Sequence, residues 1–284
     1  MFSHSCAVAA ALMLGTLVTR GVPPPEVVLV PPSAAPVPAA TLSADEMAAT
    51  VQVDTLSIPS PAELMTALGK VMQPDWTAQM RAPITTNFAS RPQMALNLGG
   101  LIADGYLAVE AADAQGVKNI GRDILALAKP LGVQQDIINR GRSLTEFAEN
   151  AQWEVLREEL EATQNEVKIA MAENKDLELI TLVTVGGWVR GTEVISGQLT
   201  AKYSEGGARL MRQPGVVGYL REKLDALPDK MRDDPAVKKT RVKLGEIEES
   251  VSFGRDAVPT ADDIRKLNTL SAELVREIVR REKK

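Results

Sequence analysis

Asp104 and Arg190 are the residues of this chain best placed to do chemistry, because each sets a charge inside an otherwise apolar stretch. One stretch reads Leu96-Asn97-Leu98-Gly99-Gly100-Leu101-Ile102-Ala103-Asp104-Gly105-Tyr106, the other Leu182-Val183-Thr184-Val185-Gly186-Gly187-Trp188-Val189-Arg190-Gly191. A charge withdrawn from water has to be paired or stay wet. The two have opposite signs and each follows a double glycine, so they are candidate partners in a buried or partly solvated ion pair between two helices. Arg190 has a second candidate partner in Glu193, three residues on along the same helix face. Tyr106 and Trp188 are the nearest aromatics in sequence, and with Asp104, Arg190 and Glu193 they make up a candidate ligand or ion-pair site. These residues also permit one catalytic chemistry, in which Asp104 with Glu110 or Glu193 trades protons as an acid–base pair.

Other chemistries lack their residues. The only histidine is His4 and the only cysteine is Cys6, both at the extreme N-terminus. Once a leader is removed, no Ser-His-Asp or Cys-His system, thiolate zinc site, covalent haem link or disulfide can be built. Neither GxxxxGK[ST] nor a strand-borne GxGxxG occurs, so a nucleotide-binding loop has no support. No metal and no cofactor are therefore expected. The formal charge is −5, and a leader ending at Gly21 would take away one arginine and no acid, leaving −6. A mildly acidic chain of mixed sign lacks the footprint of a nucleic-acid binder. The basic run Arg280 to Lys284 suits the end of a helix, where it complements the macrodipole.

Positioning the two charges falls to helices. Hydrophobic residues make up 45% of the chain and aromatics only 4%, so the core must be mostly aliphatic. Apolar positions recur at helical spacing from Pro61 almost to the end. Ser60-Pro61-Ala62-Glu63 and Ser90-Arg91-Pro92-Gln93 both read as capping boxes with proline in the first turn. Helices are expected over about 92–112, 116–128, 153–171, 176–202, 216–227 and 235–253, with a last one starting after Pro259-Thr260. A short element at 134–139 precedes another helix start at Ser143-Leu144-Thr145-Glu146. From Leu179 to Val189 there is no charge and apolar residues fall on every side, which marks a central buried helix too short in its apolar run to span a bilayer. Glycine inside a helix costs roughly 1 kcal/mol against alanine. Gly99, Gly100, Gly186, Gly187 and Gly191 are accordingly expected where helices cross closely. The fold class is all-α: an up-and-down multi-helix bundle around a central, apolar, glycine-rich helix pair.

Ahead of the bundle (residues 59–284), Ala7 to Val18 form an apolar run of signal-peptide length, so residues 1–21 read as a signal peptide or short N-terminal anchor. Residues 22–58 read as a proline-rich linker, in which prolines fix φ and remove donors, with a short helix near Ser43–Val51. These features predict a periplasmic or extracellular protein that meets a membrane at most through its N-terminal segment.

Several motifs recur in order: Leu98-Gly99 with Ala103-Asp104, Leu127-Ala128-Lys129-Pro130-Leu131-Gly132-Val133, Asn139-Arg140-Gly141-Arg142-Ser143-Leu144, and Gly186-Gly187-Trp188-Val189-Arg190-Gly191. Over roughly residues 92–200 this series resembles an uncharacterised family of exported, all-helical bacterial proteins, many of them lipoproteins, especially from the Bacteroidetes. The resemblance implies fold and export and brings no activity with it. The chain departs from that family in having no cysteine after its apolar run, and in carrying Arg190 where an acidic residue would follow the tryptophan. Three functions are consistent with the residues. The first is a non-enzymatic envelope module binding a small ligand or a protein partner beside Asp104 and Arg190. The second is a purely structural envelope protein, and the third a carboxylate-dependent enzyme. A cavity beside the two charges would favour the first and a solid core the second.

Overall fold

Each of the first two long helices begins where the sequence supplies a cap. Helix α1 (Pro61–Val71) starts behind Ser60, whose hydroxyl accepts from the Glu63 N–H at 3.2 Å while the Glu63 carboxylate accepts from the Ser60 N–H at 2.6 Å. That is the reciprocal box expected from Ser60-Pro61-Ala62-Glu63. Helix α2 (Arg91–Glu110) opens on Ser90, which accepts from the Gln93 N–H at 3.1 Å. The return bond is absent there. Gln93 instead donates from Nε2 to the carbonyls of Ile278 (3.0 Å) and Arg280 (2.8 Å) at the far end of the chain. Carbonyls at a helix end lack partners within the helix, and buried ones need a donor more than an exposed N–H needs an acceptor.

The computed structural model describes residues 58–253 and 257–281, and all regular structure among them is helical. A single 3₁₀ turn at Thr77–Gln79 precedes α2. Helices α3 (Ala114–Leu131), α4 (Gln134–Glu149), α5 (Trp153–Glu173) and α6 (Leu177–Ala201) follow. After them come α7 (Glu205–Leu210), α8 (Pro214–Asp225), α9 (Asp229–Arg232), α10 (Pro235–Val251) and α11 (Ala261–Val279). The expected leader, the expected linker up to residue 57, the short helix expected near Ser43–Val51, His4 and Cys6 lie outside the described residues. Helix α4 corrects one expectation. It runs unbroken through Ser143, where a new start was expected, because the chain does not turn there and the helix carries on to bury Ala148.

Four consecutive turns, from α2 to α6, share one geometry. Each places a single residue in the left-handed region: Ala112 (φ 52°), Gly132 (φ 84°), Ala151 (φ 53°) and Lys175 (φ 61°). In each, the following N–H reaches back to a carbonyl in the last turn: Asp113 to Ala108, Val133 to Ala128, Gln152 to Phe147 and Asp176 to Met171. These are Schellman endings. They reverse the chain within two or three residues, so α2 to α6 run alternately up and down.

Helices α2 and α6 touch each other more extensively than any other pair. Leu96 meets Gly186, Gly99 meets Gly187, and Asp104 meets Arg190, so the contacts advance together along both chains and the two helices run parallel. Helix α11 lies antiparallel to both. Asn268 donates to the Glu193 carbonyl at 3.1 Å, and the Ile278 carbonyl accepts from Gln93 and Asn97 near the start of α2. The expected inward residues of α11, Ile264, Leu267, Leu274 and Ile278, are all buried. Among the described residues no helix is long and apolar enough to cross a membrane.

Candidate functional site

Helix α2 presents three faces about a third of a turn apart, each with a different neighbour. The first, through Leu96 and Gly99, is the crossing with α6. A Cβ added to Gly99 would collide with the Val183 carbonyl oxygen and lie 2.7 Å from the Gly187 nitrogen, and one added to Gly186 would collide with the Leu96 carbonyl. The relation is reciprocal: each glycine aims its Cα–H at the carbonyl three residues before the other. The other expected crossing glycines divide. Gly187 lies at the crossing with less constraint, its Cβ position 3.4 Å from the Gly99 oxygen. Gly100 faces Arg81 at 3.5 Å, and Gly191 faces Pro61 and Leu64 of α1 at 3.5 Å, so neither belongs to the α2–α6 crossing.

The second face carries Asn97, Gly100 and Asp104. Arg190 donates from Nε to Asp104 Oδ1 at 2.7 Å, and from Nη1 to Glu193 Oε2 at 2.8 Å. The cross-helix and local pairings are therefore made together by one guanidinium. Two further partners were not foreseen. Arg81, in the loop ahead of α2, donates from Nε to Asp104 Oδ2 at 2.9 Å, with Nη2 at 2.6 Å. The backbone carbonyl of Gln79 accepts from Arg190 Nη2 at 2.8 Å. Two cations and two carboxylates thus close on themselves with no net charge. Burial alone would lower the Arg190 pKa, but Asp104 and Glu193 outweigh it and hold the guanidinium above its ordinary range. Beside this cluster only about 10 Å³ is open, on the order of one water. The one buried side-chain atom among the described residues without a partner, Asn97 Oδ1, belongs to a residue lining that space. No organic ligand fits there.

Tyr106 and Trp188, expected to join this site, point elsewhere. Each lies two residues from its charged neighbour, which turns it about 200° round its helix. Tyr106 donates its hydroxyl to Gln164 Oε1 on α5 at 3.2 Å. Burial, then the nearby Glu161 and Glu63, push its pKa far above the usual tyrosine value, so that proton stays in place. Trp188 donates to Gln213 Oε1 at 3.0 Å. Glu110, the other carboxylate considered for proton exchange, is bridged to Arg157 at 2.9 Å. Among the described residues no group of three or more His, Cys, Asp or Glu could hold a metal.

The third face of α2, through Leu98, Ile102 and Gly105, looks onto an apolar cavity of about 290 Å³ walled by α2, α3, α4 and α5 and open to solvent on one side. Its origin is a seam in the core. Val117, Ala148 and Leu156, with the partly buried Leu144 and Trp153, form a small apolar cluster distinct from the main core, and the cavity draws its walls from both. Two glycines leave the seam unfilled. Among the described residues a Cβ on Gly121 would have nothing within 4 Å, and one on Gly105 would meet only Ile120 Cγ2 at 3.8 Å. The sequence signal for this face lies in α3, where Ile120 and Ile124 continue the apolar stripe of Val117 and Leu127 yet remain only half-buried. No protein-family model matches the chain, and neither the curated proteins nor the solved structures supply a match.

Proposed function

We propose that this chain is an exported, non-enzymatic binding protein whose bundle takes a small, mostly apolar molecule into the cavity between α2, α3, α4 and α5. The cavity with its two empty glycine positions is the observation that carries this reading. Mid-helix glycine is unfavourable by roughly 1 kcal/mol against alanine, and neither Gly105 nor Gly121 is needed to let two backbones approach. The volume, about 290 Å³, lies at the lower edge of ordinary ligand pockets, roughly 300–1,000 Å³. The apolar N-terminal run, the proline spacer and the resemblance over residues 92–200 support export. Pairing of Asp104, Glu110 and Glu193 with guanidinium groups supports a non-enzymatic role.

One observation favours a second reading, a purely structural envelope protein: the Asp104–Arg190 cluster is packed solid, as a device for fixing helix register would be. A single comparison separates the two. Wild-type and Gly121→Leu chains are recovered from the periplasm of the producing cell and weighed by native mass spectrometry. Binding predicts an additional small mass on the wild type that Gly121→Leu loses. Bare chain in both, with the fold intact, favours the structural reading, and chain confined to the cytoplasm defeats export.

A further inference from the structure

Resting on that reading, we infer that the molecule is a single-chain anionic amphiphile, with its hydrocarbon tail in the cavity and its charged head at the mouth between Lys118 and Arg122. The cavity is graded from floor to mouth. Leu98 and Val167 at its floor are buried, whereas the Arg122 side chain is 73% exposed and that of Lys118 34%. Both cations line the cavity, and no carboxylate does among the described residues. Their aliphatic stems extend the apolar wall while the charged ends reach water.

Neither cation is firmly engaged. Lys118 lies 3.2 Å from Glu149, itself more than half exposed, and among the described residues Arg122 reaches Asp123 at 3.9 Å and Asn119 at 3.4 Å. Exposed pairs of this kind contribute little, so an incoming carboxylate, sulfate or phosphate can replace them. The other polar groups of the wall carry no charge to rival the two cations, and the Thr163 hydroxyl already donates its proton to the Glu159 carbonyl at 2.7 Å. Size narrows the class further. A cavity of about 150 Å³ takes benzene, so one of about 290 Å³ holds on the order of a dozen non-hydrogen atoms. That is one medium acyl chain and too little for a two-chain phospholipid.

The test titrates the full chain with decanoate, decan-1-ol and decylammonium at monomeric concentrations, by calorimetry and by fluorescence of Trp153, which packs in the cluster beside the cavity. Decanoate is expected to bind about tenfold tighter than decanol, with decylammonium weakest and the difference shrinking in high salt. Lys118→Gln with Arg122→Gln should bring decanoate down to the level of decanol, weakening decanol, which loses only some contact with the two stems, far less than decanoate. Gly121→Leu should abolish all three while its thermal midpoint shows a folded chain. Equal binding of the three, or a preference for decanoate that survives loss of both cations, overturns the anionic head and leaves the apolar site standing. No binding by any of them, or undiminished binding to Gly121→Leu, overturns the cavity reading as well. Vesicles of anionic phospholipid are expected not to bind. Vesicle binding that requires Lys118 and Arg122 would assign these cations to a membrane surface and overturn the inference.

Discussion

At Asp104 each carboxylate oxygen serves a different guanidinium: Oδ1 accepts from Arg190 and Oδ2 from Arg81. The two arginines differ in what they lose if the acid goes. Arg81 is partly exposed and can turn to water, whereas Arg190 is buried, its side chain 4% exposed. Breaking a buried pair by removing one partner typically costs about 3–5 kcal/mol, because the remaining charge is stranded. Asp104→Asn and Arg190→Met should each fall in or near that range, and the double variant should cost well under their sum. A double-mutant cycle by denaturant melts checks this, and strict additivity would mean that the two residues are not coupled. Asp104 and Arg190 were legible in the sequence because a charge in an apolar helical pattern is conspicuous. Arg81 was not, since it lies in an irregular segment with no periodicity to show which way a side chain faces.

Between elements, the parallel crossing of α2 and α6 rests on two glycines, and the paired motif concealed which two. In each Gly-Gly only the first residue, Gly99 or Gly186, meets a carbonyl of the other helix at collision distance. Gly99→Ala and Gly186→Ala should therefore lower stability by about 1–3 kcal/mol or more through overpacking. Gly100→Ala adds a methyl group 3.5 Å from the end of the flexible Arg81 side chain, and should raise stability by up to about 1 kcal/mol through helix propensity. Thermal melts compare the signs directly, and a raised midpoint for Gly99→Ala would contradict the crossing. A double glycine announces close approach in sequence, but a rotation of 100° between its members decides which one is needed, and that depends on the partner. Element ends were legible where Ser60, Ser90 or Thr260 offered a cap. They were less so at Ala112, Ala151 and Lys175, because three of the four left-handed endings do without the glycine that usually marks them.

Over the whole molecule, the all-helical, up-and-down arrangement follows from aliphatic periodicity and short reversals, both present in the sequence. The cavity could not be read there, because a void is a property of how two clusters fail to meet rather than of any one residue. Gly121 carries no signal alone, and Ile120 and Ile124 look like ordinary core positions until the facing helices are placed. The cavity lies on the Gly105 face of α2, about a third of a turn from the ion cluster, so the two locations can be told apart by observing side chains on each. Methyl-resolved NMR during titration with toluene, a small neutral probe, does this. Shifts are expected at the methyl groups of Leu98, Ile120, Ile124 and Val167, which line the cavity, with Val275 and Ile278 beside the ion cluster unmoved. Shifts centred on Val275 and Ile278, or none at the cavity methyls at saturating toluene, would contradict it.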